Sequence, residues 1–229
     1  MDCIFELKKT QIPQNKKIIL GFAPHLLDPQ SLVFSPIPIP NASQINYEVG
    51  TEEGVMLLLA HKLCTLPSNK LQTIFEEIDL GYLSAESNVG EEELEEVAEF
   101  IGEERIAIII TQDFLTHPKG QNILSLLQEI SSQNQIDCFF DTLTPKACTS
   151  LPEYNGLVVR ITQGEPLLRG SQQFALFAKL KNGDTPTISH QDFCIQAPFV
   201  LDEDLRGTIA ILQLPTPPLS YPYQKVQIK

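Results

Sequence analysis

A loop after the most strand-like run of the chain, residues 105–111 (RIAIIIT), reads QDFLTHPKG and carries Asp113, His117 and Lys119 within one short stretch. In an open α/β sheet the carboxyl end of a strand is where ligands bind. A carboxylate and an imidazole there could exchange a proton with a substrate, and the ammonium could hold a phosphate. The competing reading is a solvated loop in which His117-Pro118 opens the next helix, since position on a loop is by itself a weak indicator of function.

The remaining chemistry-bearing residues are scattered. No Walker A lysine loop, GxGxxG after a strand, HExxH or GxSxG occurs. The histidines at 25, 61, 117 and 190 fall in unrelated segments, and none stands at a metal-ligand spacing from a cysteine. Cys3, Cys64, Cys138, Cys148 and Cys194 form neither a CxxC pair nor a disulfide framework, so reduced and mostly buried thiols are expected, with no metal site and no cofactor in this chain. His61, on an apolar helix, reads as a core or boundary histidine, and the glutamates at 91–96 as the wet face of a helix with favourable charges at its start.

The elements that must position the loop follow from apolar spacing. Residues 3–7 form an opening apolar segment, and 18–22 read as a short buried strand. The stretch HLLDPQSLVFSPIPIPNAS, with prolines at 29, 36, 38 and 40, reads as an extended loop. Thr51 is placed to cap a helix running to Cys64, with Glu52 and Glu53 in its first turn, apolar residues on nearly every side and Pro67 beyond its end. A second helix over 69–78 aligns Leu71, Ile74, Phe75 and Ile78, and Gly81 stops it before the polar stretch SAESNVG. Residues 91–101 make a helix with Leu94, Val97, Ala98 and Ile101 inward and Gly102 as its stop. The β-branched run at 105–111 predicts a parallel strand buried on both faces. A helix over 121–130, with Ile123, Leu124, Leu127 and Ile130 inward, and a strand over 136–140 complete the order strand, helices, strand, helix, strand. The fold class expected is therefore α/β: an open, parallel-rich, Rossmann-like sheet flanked by helices over 1–147.

After about residue 144 the texture becomes short apolar runs at 156–161, 174–180, 187–193 and 207–214, separated by turn signals. A smaller β-rich part over 148–229 is expected, in which 171–180 could instead form a short helical turn. The closing PTPPLSYPY should lie extended over a surface and cannot be a central strand.

With 29 acidic and 16 basic side chains the formal charge is −13, which excludes a bare nucleic-acid binder because phosphate contacts need a basic face. No apolar run reaches membrane-helix length and the first ten residues lack the apolar core of a secretory signal, so a cytoplasmic protein without direct membrane insertion is expected. The proline-rich segments at 29–40 and 215–222 and the acidic face of 91–99 are the expected contact surfaces for protein partners.

Several strings are more distinctive than their chemistry requires. LGFAPHLLDPQSLVF, YEVGTEEGVMLLLAHKL, DLGYLSAESNVGEEELEEVAEFIG, ITQDFLTHPKGQNILSLL, LRGTIAIL and YPYQKVQI resemble, in that order, the later part of the large iron-sulfur G chain of bacterial NADH-quinone oxidoreductase (complex I). That region belongs to the molybdopterin-oxidoreductase superfamily, and the resemblance implies a degenerate cofactor site. The family's cysteine-rich modules, which hold its iron-sulfur clusters, have no counterpart in residues 1–229, so no cysteine here inherits a ligand role. Two functions stay open. One is a redox-silent structural or assembly module of the respiratory peripheral arm, partnered by other NADH-quinone oxidoreductase subunits at the inner face of the membrane and without catalysis of its own. The other is a free-standing cytosolic α/β ligand-binding protein or small enzyme using the Asp113, His117 and Lys119 loop.

Overall fold

Four isoleucines around one alanine leave no polar face, and Ile106–Ile110 is buried along its whole length in the middle of a parallel sheet. A computed structural model describes residues 4–6, 13, 15–133, 136–140, 148, 150–217 and 221–229. The chain divides into two compact units, one of Met1–Pro36 with Ala42–Ala147, the other of Ile37–Asn41 with Cys148–Lys229.

The first unit is built on β1 (Ile4–Glu6), β2 (Lys17–Leu20), β3 (Ser31–Phe34), β4 (Ser43–Ile45), β5 (Ile106–Ile110) and β6 (Ile136–Phe140). All pair in parallel, in the order β1-β6-β5-β2-β3-β4. The helices are α1 (Glu52–Leu63), α2 (Asn69–Glu77), α3 (Leu80–Ser87), α4 (Glu91–Ile101), the single turn α5 (Gln112–Leu115) and α6 (Gly120–Gln133). This is the α/β architecture that the alternation of β-branched runs and amphipathic stretches predicts. Leu20, Phe34 and Ile110 from the sheet share one core with Met56, Leu59, Val97, Ile123 and Leu127 from the helices.

Four local expectations are corrected. The proline-flanked stretch is not simply a loop: Ser31–Phe34 is fully buried as β3, because Pro29 and Pro36 flank the run and remove no ladder donor within it. The same burial removes most of residues 31–35 from any partner surface. Gly81 does not stop a helix but lies in the first turn of α3, where Asp79 caps by accepting from the Tyr82 N–H. The Thr51 hydroxyl makes no cap bond to α1 and donates instead to the Glu48 carbonyl, 2.7 Å away. His61 is neither core nor boundary: it is exposed and meets Phe75 edge-on at 5.0 Å between ring centroids.

The second unit carries β7 (Leu157–Gln163), β8 (Leu167–Gly170), α7 (Gln172–Ala178), β9 (Thr187–His190), β10 (Phe193–Gln196), β11 (Phe199–Leu201), β12 (Ile209–Leu214) and β13 (Tyr223–Ile228). Its mixed sheet runs β10-β9-β13-β7-β12-β8-β11, over a core that includes Val159, Leu168, Phe174, Phe199 and Leu212. Of the two readings of 171–180 the helical one is realised, because Ser171 caps α7 by accepting from the Phe174 N–H at 3.1 Å. The tail also differs from its expectation. Tyr221 and Tyr223 are buried, and Tyr223 begins a strand paired on both sides, by β7 and by β9.

Candidate functional site

The strand order reverses between β2 and β5: from β2 the chain proceeds outward through β3 and β4, then returns to add β5 on the other side. At such a switch point the loops leaving the two strands diverge and open a crevice for ligands at their carboxyl ends. Here those loops are residues 21–22 after β2 and 111–113 after β5, and they are in contact.

Gly21, at φ +109°, packs so closely that a Cβ on it would stand 1.9 Å from Thr111 Oγ1 and 3.0 Å from Asp113 Cβ. The Asp113 carboxylate, buried completely, accepts the Phe22 N–H at 2.9 Å. Thr111 caps α5 by accepting the Asp113 N–H at 3.3 Å. Asp113 thus joins the two diverging loops, and its negative charge lies where an anionic ligand would be received.

His117 follows α5 and is also buried. Its Nδ1 accepts the Lys119 N–H at 3.1 Å, so the ring proton sits on Nε2 and is directed to the Gly50 carbonyl oxygen, 3.3 Å away. Glu52, with no side-chain exposure, places Oε2 3.8 Å from the same nitrogen. Burial holds the His117 pKa below its usual value, opposed by the Gly50 carbonyl and Glu53 and reinforced by Lys119. The ring is a neutral connector between the start of α1 and the start of α6. Lys119 touches it through the backbone only, and its side chain is exposed.

Sequence neighbours therefore part in space. Asp113 serves the β2 loop, His117 serves α1, and Lys119 faces solvent. The sequence reading placed Glu52 in the first turn of α1 as a charge favoured by the helix dipole and missed its burial. The signal for its burial was present in GVMLLLA, because a helix apolar on every side buries its first turn as well. It missed Lys17 too, which is fully buried at the start of β2, with Nζ bonded to the Pro13 carbonyl at 2.8 Å and to the Asp28 carboxylate.

The second unit has an open cleft of about 660 Å³ lined by Cys148, His190, Asp192, Tyr221, Gln224 and Lys225 among others. His190 Nδ1 accepts the Asp192 N–H at 3.2 Å, and Lys225 donates to Asn155. Among the described residues no three His, Cys, Asp or Glu side chains converge as metal ligands. No helix among them is long and apolar enough to cross a membrane.

A pyrophosphate-bearing cofactor does not fit the switch point of the first unit, where a buried carboxylate already takes the loop N–H and glycine packs on threonine. Compared with protein-family models and with curated proteins, the sequence finds no match in either.

Proposed function

We propose that this chain is a redox-silent structural or assembly module of the peripheral arm of a respiratory NADH-quinone oxidoreductase. It would act by protein contact at the inner face of the membrane, with no cluster, pterin or catalytic step of its own. The resemblance of its strings to the later part of the complex I G chain motivates the reading. The observation that carries it is the closed switch point: a chain that received a phosphate there would need the Phe22 N–H that Asp113 occupies. Such a unit keeps the rigidity of an α/β core and offers its outer surfaces. The exposed glutamates of α4, the parts of the 29–40 segment outside β3, and 215–217 of the 215–222 segment, of which 218–220 lie outside the described residues, are the surfaces that support partner contact.

The enzyme alternative asks Asp113 and His117 to reach a substrate. Both are buried and engaged with backbone groups, which favours the module reading over catalysis by that loop.

The test is affinity recovery of the tagged full-length chain from native membranes solubilised in mild detergent. Recovery of NADH-quinone oxidoreductase subunits in fixed ratio is expected, weakened by salt where the acidic α4 face contributes. Recovery of none of them overturns the module reading and moves ligand binding ahead, with the cleft at His190 as the place to look.

A further inference from the structure

Helix α7 has an outer face that its composition does not explain. Phe174 and Ala175 turn inward onto the β-sheet of the second unit, and the opposite face of so short a helix would ordinarily be polar. Instead Leu176 and Phe177 stand 70% and 59% exposed, beside Gln172 and Gln173. Next to them an open hollow of about 600 Å³ is lined by Ala175, Leu176, Leu180 and Leu201, with Lys179 and Lys181 among its polar lining residues and no carboxylate.

The charge here runs against that of the chain. Residues 166–183 contain Arg169, Lys179 and Lys181 and not one of the 29 acidic side chains, in a protein of formal charge −13. Arg169 is paired to Asp202, so Lys179 and Lys181 are the charged groups lining the hollow itself, while Asp202 and Glu203 line the adjoining hollow beyond Gln172 and Leu201. Asp184, the nearest acid in sequence, is held by the Lys181 N–H at 2.7 Å.

We infer that this face docks an amphipathic helix of a partner protein, its apolar stripe seated on Leu176, Phe177 and the hollow, and its glutamate or aspartate flank against Lys179 and Lys181. The inference deepens the module reading, on which the existence of such a partner rests. Docking by strand addition is disfavoured, because the neighbouring edge strand β11 is already closed. Phe199 exchanges backbone bonds with Gly183 and Asp184, and the Leu201 N–H donates to Asn182. An anionic membrane is disfavoured as well, since a bilayer does not need a recess of this kind.

The experiment uses the full chain and two synthetic helical peptides with the same leucine stripe, one with a glutamate polar face and one with a lysine face, read by fluorescence anisotropy. The glutamate peptide is expected to bind about tenfold or more tighter at low salt, with the difference shrinking as salt rises. L176S/F177S should abolish binding, and K179E/K181E should reverse the preference while leaving the thermal melt unchanged. Equal binding of both peptides, or binding indifferent to these substitutions, overturns the inference. So does binding to phosphatidylglycerol vesicles, or a sedimenting dimer, that L176S/F177S removes, since the occupant is then a lipid surface or a second copy. Recovery of complex subunits together with failure of the peptides sinks this surface and leaves the module reading standing.

Discussion

Replacing Gly21 with alanine tests whether the switch point is closed by contact. The new Cβ would lie 1.9 Å from Thr111 Oγ1, and Thr111 is almost fully buried, so its hydroxyl cannot simply swing into solvent. Holding alanine at a φ of +109° adds strain, about 1–3 kcal/mol for such backbone. Displacing the threonine forfeits the cap of α5, worth about 0.5–2 kcal/mol. The sum is about 1.5–5 kcal/mol, and a chain of this size loses roughly 2–4 °C of Tm per kcal/mol, so a fall of about 3–20 °C is expected. The control is Gly183→Ala, at φ +92° with nothing within 4 Å of the added carbon, which carries the backbone strain without the collision. Scanning calorimetry on both variants separates the two contributions. If Gly21→Ala melts no lower than Gly183→Ala, the loops after β2 and β5 are loose enough to part, and the argument that the crevice is filled fails.

Three further outcomes concern titratable groups. Because the His117 pKa is lowered by burial, the folded state binds fewer protons than the unfolded one just below the ordinary histidine range. Its contribution to stability is thus complete above the unfolded pKa of about 6.5 and lost as pH falls through the folded value; denaturant melts between pH 7 and 5 should show a shallower acid-side decline in H117Q than in wild type. Burial pushes the Asp28 carboxyl up, but hydrogen bonds from Lys17, Ser31 and the Gln30 N–H outweigh it and hold the pKa below 3.8. That contribution is present above the unfolded pKa and lost as pH falls through the folded one; carbon-13 NMR titration of the carboxyl should show its midpoint rising in K17M, and an unchanged midpoint would remove Lys17 as the cause. Cys64, whose thiol burial and Glu129 push up to about 11, should resist iodoacetamide at pH 8 in the folded protein while exposed Cys194 is alkylated, read by peptide mass spectrometry.

What the sequence disclosed was decided by how locally each element is determined. Helix α4 and strands β5 and β6 lie where periodicity and stop signals put them, because an amphipathic stripe ending in Gly102 and an unbroken apolar, isoleucine-rich run each admit one solution. Helix α3 was hidden because Gly81 carries the usual mark of an ending, and only the Asp79 cap before it indicates a beginning. Strand β3 was hidden by prolines that bracket it. The second unit was legible as strand-rich but not in its order, since the parallel pairing of β7 with β12 joins segments whose local patterns say nothing of each other. The candidate loop was found by residue type, but the burial of Asp113 and His117, against the solvated-loop reading, was not legible from it. Only three-dimensional neighbours, Phe22 for Asp113 and Gly50 for His117, show what these side chains hold together.

The place of β13 imposes an order on synthesis. Tyr223–Ile228 is the last segment of this sequence to leave the ribosome, yet it lies between β7 and β9 and pairs with both. Thirty-two residues lie between His190 and Tyr223, so at about 5–20 residues per second the nascent chain waits roughly 2–6 s with that slot empty. During this interval two strand edges face each other across a gap that any passing β-segment could fill. A ribosome that stalls or a message that ends before codon 223 does not yield a slightly shorter protein. It yields a second unit split through the middle of its sheet, a substrate for chaperones and proteases.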